Sequence, residues 1–270
     1  GCRGIVVGDM DNNGYPDILK WRYYFNTSYP HLLLLNQGNH YFETVEYLHE
    51  DEMQYLHSQG LLDVDLDGDL DLFTANGHVQ VGVELTQDGI YYRQPCHLFI
   101  NDGEGRFIDI VPKLGGPLAK PIVGRGAAFA DFDKNGTLDV LVTENGGSVH
   151  LYRNDTKLNN YIRINVKSIS STRDGLSTKL VAITKSNRME RSVRTGSSFM
   201  SQCEKTVTFG LGSNNIIDSL FVYWPNGLTE LYENIPSNQI NYLLYYYFQG
   251  QKSQINYLLY YYFQGQKSRF

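Results

Sequence analysis

Three acidic loops constrain this chain more than any other feature. The first runs Asp9-Met-Asp11-Asn-Asn13-Gly14-Tyr15-Pro-Asp17, the second Asp63-Val-Asp65-Leu-Asp67-Gly68-Asp69-Leu-Asp71, and the third Asp131-Phe-Asp133-Lys-Asn135-Gly136-Thr137-Leu-Asp139. Each places a carboxylate or amide oxygen at positions 1, 3 and 5, a glycine at 6 and an aspartate at 9. Alternate residues of a tight turn can point such oxygens at one centre. Ca²⁺, a hard cation, takes about six to eight oxygens at about 2.3–2.6 Å. The glycine permits the sharp turn, and the backbone carbonyl of position 7 supplies a further oxygen. The candidate ligands are therefore Asp9, Asp11, Asn13, Tyr15 and Asp17 in the first loop, and Asp63, Asp65, Asp67, Asp69 and Asp71 in the second. In the third they are Asp131, Asp133, Asn135, Thr137 and Asp139, for about three Ca²⁺ ions in all. The competing reading of any one loop is a plain acidic turn, since Asp, Asn and Gly build turns without metal. Three copies in one chain weigh against it.

These loops are not EF-hands, which close the site with a bidentate Glu at position 12 on an exiting helix. Position 12 is Lys20, Thr74 and Val142. The segments that follow position 9 (Ile18-Leu19, Leu72-Phe73-Thr74 and Val140-Leu141-Val142-Thr143) read as short buried strands. The metal is expected to brace a loop entering a sheet.

The loops begin at 9, 63 and 131, intervals of 54 and 68 residues, in or above the range of β-propeller blades. A second feature recurs with them, an apolar strand that ends in Asn and leads into a turn. It appears as Leu32–Leu35 with Asn36, as Leu98–Ile100 with Asn101, and in shortened form as Leu151-Tyr-Arg-Asn154. Each full copy reads as a hairpin, and loop-strand plus hairpin makes roughly one four-stranded blade. This pattern resembles FG-GAP (VCBS-type) repeats, as found in integrin α-chain propellers and many secreted proteins. The resemblance implies Ca²⁺ in each acidic loop and about three blades over residues 1–157. A closed propeller has about four to eight blades, and the chain opens at Gly1-Cys2 without Met. The expectation is a fragment lacking N-terminal blades and a signal peptide.

Beyond about residue 158 the acidic loops stop and an all-β module is expected over 158–250. Residues 161–167 alternate apolar and polar, and 180–184, 206–209 and 219–224 read as further strands. Three phrases occur in order: Arg194-Thr-Gly-Ser-Ser-Phe-Met-Ser-Gln202, Phe209-Gly-Leu-Gly212 and Val222-Tyr-Trp-Pro-Asn-Gly227. They resemble the ASPIC/UnbV domain, and the combined order of modules is similar to the cartilage acidic protein family and its bacterial relatives. From the residues alone, Phe209–Gly212 reads as a tight packing corner and Trp224–Gly227 as a strand end followed by a turn. The fold class expected is all-β, a partial propeller of about three blades followed by a small β-sandwich-like domain. Calcium is expected to stabilise the propeller half and to leave 158–240 indifferent.

Residues 239–253 are repeated without change at 254–268, so 251–270 reads as a duplicated tail. The first copy is expected to supply the last strand of the domain and the second to be an artefact of duplication. Eight of the 21 tyrosines lie in the two copies, so the aromatic content overstates the core.

The net charge of −6 comes largely from the acidic loops, and no basic stripe points to nucleic acid. No run of 18 apolar residues points to a membrane span. Cys2, Cys96 and Cys203 form no close pair, which argues against a zinc ribbon or a dense disulfide framework. Sequons occur at Asn26, Asn135 and Asn154; Asn135 is a candidate ligand, and Asn26, in a polar, aromatic loop between expected strands, is the best acceptor. The seven histidines, His78 among them, are scattered and read as structural. No nucleophile elbow, zinc-protease helix or phosphate loop is present. The expectation is a non-catalytic, secreted, calcium-binding adhesion, matrix or interaction protein with an extracellular protein or glycan ligand. The alternative is a calcium-dependent polysaccharide lyase or hydrolase, for which Arg125 is the residue to test.

Overall fold

A computed structural model describes residues 2–22, 32–45, 56–156, 159–168 and 173–245. Among the described residues, the regular secondary structure is almost entirely strand. Five small sheets make it up, more than the three blades expected. Three carry an acidic loop each, and two lie beyond residue 159.

The first sheet orders β1 (Cys2–Gly8), β2 (Asp17–Arg22), β3 (Leu32–Asn36) and β4 (Phe42–Val45) as neighbours. The second repeats this with β5 (Leu56–Leu62), β6 (Asp71–Asn76), β7 (His97–Asn101) and β8 (Phe107–Asp109). The third has β9 (Gly124–Ala130), β10 (Asp139–Glu144) and β11 (Val149–Tyr152). Every pairing in these sheets is antiparallel. Each acidic loop joins a first strand to a second, and position 9 is the first residue of that second strand. The longer second interval comes from insertions at 77–96, with a 3-10 turn at Val83–Leu85, and at 110–123, with the one-turn helix α1 (Val111–Leu114).

Successive sheets pack face to face, as propeller blades do. Val6, Leu19, Leu33, Leu72 and Phe99 belong to one buried cluster shared by the first two sheets. Leu62, Phe73, Leu98, Phe129 and Val142 belong to a second, shared by the next two. The first strands follow one another, β1 against β5 and β5 against β9. Glycine makes this approach possible. A Cβ at Gly60 in β5 would lie 2.1 Å from the Phe129 ring.

The remaining sheets form a sandwich. One is ordered β15 (Val207–Gly212), β12 (Asn160–Ser168), β18 (Gln239–Tyr245). The other is β14 (Arg188–Ser192), β13 (Lys179–Ile183), β16 (Ile216–Tyr223), β17 (Thr229–Pro236). Ile162, Ile164, Phe209, Leu220, Val222 and Trp224 fill the space between them. The first copy of the duplicated segment does supply a strand, β18, which runs parallel to β12. The second copy lies outside the described residues, as do Asn26, His31 and His49. Among the described residues no helix is long and apolar enough to cross a membrane.

Replacing Gly60 by Val tests the sheet-to-sheet packing. Overpacking a filled interior costs about 1–3 kcal/mol, so the urea midpoint of Gly60→Val should fall clearly. An unchanged midpoint would mean that β5 and β9 do not pack as described.

Candidate metal centre

Each loop is built from the same backbone contacts. The position-9 aspartate grips the chain with both oxygens. One accepts the N–H of position 2, from Met10 to Asp17 at 2.6 Å, Val64 to Asp71 at 2.8 Å and Phe132 to Asp139 at 2.9 Å. The other accepts the N–H of the asparagine ending the hairpin strand, Asn36 at 2.7 Å, Asn101 at 3.0 Å and Asn154 at 2.7 Å. The outer oxygen of position 1 accepts the N–H of the position-6 glycine, at 3.0 Å in Asp9, 3.1 Å in Asp63 and 3.1 Å in Asp131. Those glycines have φ of 90°, 106° and 99°, a left-handed conformation that needs Gly. Position 4 is left-handed as well, at Asn12, Leu66 and Lys134, which the sequence pattern did not announce.

These contacts bring positions 1, 3 and 9 together. The carboxylates of Asp9, Asp11 and Asp17 offer ligand oxygens within 4.8 Å of one another, as do Asp63, Asp65 and Asp71, and Asp131, Asp133 and Asp139. Position 5 is used differently. The side-chain oxygens of Asn13, Asp67 and Asn135 accept the position-7 N–H at 2.8, 2.9 and 2.8 Å, forming the turn itself. Position 7 is expected to offer its backbone carbonyl, and its side chains lie elsewhere. Tyr15 is half exposed. Asp69 accepts from Asn12 of the first loop at 2.5 Å. The Thr137 hydroxyl donates to the Asn154 carbonyl at 2.7 Å.

The electrostatics of the first two loops suit a cation, beyond what Arg191 already supplies to Asp9, Asp63 and Asp69. Asp9 and Asp63 are only 4% and 2% exposed, and the Oδ1 atoms of Asp9, Asp63 and Asp65 have no hydrogen-bond partner. Buried charges are paired or coordinate metals. Without a metal, burial pushes Asp9 and Asp17 up to about 6, Asp63 to about 7, Asp69 to about 6 and Asp71 to about 8. Neighbouring carboxylates add to each rise, and Asp65 is raised from the same causes. The donors are all oxygen, which suits a hard cation.

The recurrent asparagines do more than end strands. Asn101 donates its side-chain N–H to the Met10 carbonyl at 2.7 Å and to Leu70 at 3.1 Å, and Asn154 donates to Val64 at 2.7 Å. Each thus stitches its own sheet to the acidic loop of the sheet before. Their recurrence was visible in the sequence, but their reach was not. The amide nitrogens of two sequon residues, Asn135 and Asn154, are therefore engaged within the repeats. Arg125 directs its guanidinium at the carbonyls of Gly77 (3.1 Å), Gly124 (2.8 Å) and His78 (3.0 Å), holding the inserted chain against β9. Nδ1 of His78 accepts the Gln80 N–H at 2.9 Å. Cys96 and Cys203 are buried free thiols, and burial pushes Cys96 up to about 12.

The second module reaches the loops directly. Gly210 in β15 donates its N–H to Asp63 at 2.9 Å, and Arg163 in β12 donates to Asp131 at 2.8 Å. Residues 158–240, expected to be indifferent to calcium, thus touch two of the loops.

A family model described as FG-GAP-like repeat matches residues 63–142, and one described as ASPIC and UnbV matches residues 168–251. No curated protein matches the chain. The first loop lies outside the repeat match, yet it carries the same backbone contacts as the other two.

The raised carboxylates fix a pH dependence. Their folded-state values exceed the unfolded value of about 4, so they stabilise the metal-free fold below about pH 4. That contribution is lost as pH rises through about 6 to 8. In chelator, the melting temperature should therefore fall from pH 5 to pH 8. In saturating calcium the fall should vanish or reverse, because protons compete with the ion. Parallel pH profiles in the two conditions would contradict this account.

Proposed function

We propose that FG-GAP-like repeats carried into an ASPIC/UnbV domain make this chain an extracellular, calcium-stabilised, non-catalytic module for adhesion, matrix assembly or protein interaction. In this reading residues 1–157 are calcium-bearing blades, 158–250 the ASPIC/UnbV domain and 251–270 a duplicated tail. The observation that carries it is the pair of buried, unpartnered oxygens on Asp9 and Asp63, each on an aspartate whose neighbours converge on it. Calcium fits better than magnesium. The loops offer several oxygens in an irregular array, which Ca²⁺ tolerates, whereas Mg²⁺ demands near-ideal octahedral geometry and keeps its waters. The bound ions would serve structure, holding each loop closed at the mouth of its sheet. The expected partner is an extracellular protein or glycan. Arg125, the base a lyase would need, points at backbone carbonyls, which favours the non-catalytic reading.

Calorimetric titration of the whole chain with Ca²⁺ should give about three sites, and with Mg²⁺ far weaker binding. Asp65→Asn should remove one calcium site and leave the metal-free melting temperature no lower, since Asp65 stands among like charges. A chain that takes up no calcium at millimolar concentration would refute the proposal.

A further inference from the structure

The C-terminal module touches the second and third loops at the same chemical point, through Gly210 inside the ASPIC and UnbV match and Arg163 just before it. In each, position 1 turns one oxygen outward to the position-6 glycine N–H, and the domain adds a second donor to that same oxygen. For Asp63 the donor is the Gly210 N–H at 2.9 Å, beside a backbone bond from Gly212 to Leu66 at 2.9 Å. A Cβ at position 210 would lie 2.3 Å from Asp63 Oδ2 and 2.3 Å from the Leu66 carbonyl carbon, so this approach requires glycine. For Asp131 the donor is Arg163 at 2.8 Å, with the two side chains 4% and 1% exposed. Arg191 adds a bond to the Gly68 carbonyl at 2.9 Å.

We propose that Gly210 and Arg163 are positioning residues of the second and third metal sites, and that docking of the C-terminal domain and calcium binding are coupled through them. This rests on the calcium reading above. By holding the outer oxygen, each donor fixes the carboxylate plane and turns Oδ1 toward the ion, although in Asp131 Oδ1 also accepts the Asn135 N–H at 3.0 Å. In Asp63 that oxygen has no other partner. Such orienting contacts tune metal affinity even though they never touch the metal. The positive charge of Arg163 does not displace the ion, because Glu204 accepts from the same guanidinium and takes the Asp131 N–H at 3.2 Å. Glu204 thus balances the arginine, and the three loop carboxylates remain for calcium. Coupling of this kind is reciprocal. The ion tightens docking by as much as docking tightens the ion.

Hydrogen exchange on the whole chain, with and without calcium, tests the coupling. Peptides covering 160–164 and 207–212 should gain protection together with the loops, while the edge strand β17 should not change. Calcium titration of Arg163→Met and Gly210→Val should show one site each weakened by about tenfold to a hundredfold, with the other sites unchanged and Arg163→Lys partly restoring the third. Protection confined to residues 9–17, 63–71 and 131–139, or unaltered affinities in folded variants, would overturn the inference. If either variant fails to fold, exchange on the native chain decides. Absence of any calcium binding would instead remove the functional proposal beneath it.

Discussion

The position-9 aspartate is the interaction on which the rest depends. Asp17, Asp71 and Asp139 each tie three separate pieces of chain together: their own strand, the second residue of the loop and the asparagine at the end of the hairpin. Among the described residues, no other side chain in the loop accepts from both its second residue and the asparagine of the hairpin. The grip also places a charge where the sheet begins, under conditions of burial that oppose charge. The fold therefore builds in a conflict. The same backbone N–H groups that hold the carboxylate favour its anion, while burial and the aspartates at positions 1 and 3 disfavour it. A divalent cation bound among the carboxylates would relieve that conflict in the first two loops.

The three loops share a backbone and differ in charge. The second holds five carboxylates and the first and third hold three each. Asp69 in the second loop accepts from Asn12 in the first, and Asn101 and Asn154 reach back to the preceding loops. Loop, hairpin and neighbouring sheet thus form one hydrogen-bonded chain along the repeats. Local opening at one loop would release the stitch to the next, so the repeats should lose order together.

Much of this was legible in the sequence. The loops, the strands that follow them and the hairpins ending in Asn36 and Asn101 lie where alternation and turn chemistry put them, since those signals are local. What escaped was set by neighbours. β14, with the sequence Arg-Met-Glu-Arg-Ser, has too much charge to read as a strand, yet Met189 is fully buried against the sandwich core. Arg163 is the sharpest case. In an alternating strand it reads as solvent-facing, but Ile162, Arg163 and Ile164 are all buried. One face of β12 packs inside the sandwich and the other lies on the third loop. Periodicity reports one buried face and is silent on what covers the other.

The same reasoning explains why Arg194–Gln202 stands out as a phrase. It has little internal structure and few apolar anchors, so a packed core does not account for it. Its residues instead reach across the first strands of the three looped sheets. Arg194 donates to the Val7 carbonyl of β1 at 3.0 Å. The Ser198 hydroxyl meets Ser58 of β5, whose oxygen also accepts the Ala127 N–H of β9 at 3.0 Å. Just beyond the phrase, Glu204 donates its N–H to the Phe129 carbonyl of β9 at 3.0 Å. The residues that make these contacts are constrained by them, while Phe199 and Met200 stay exposed. The motif is better understood as the seam between the two halves than as part of either one.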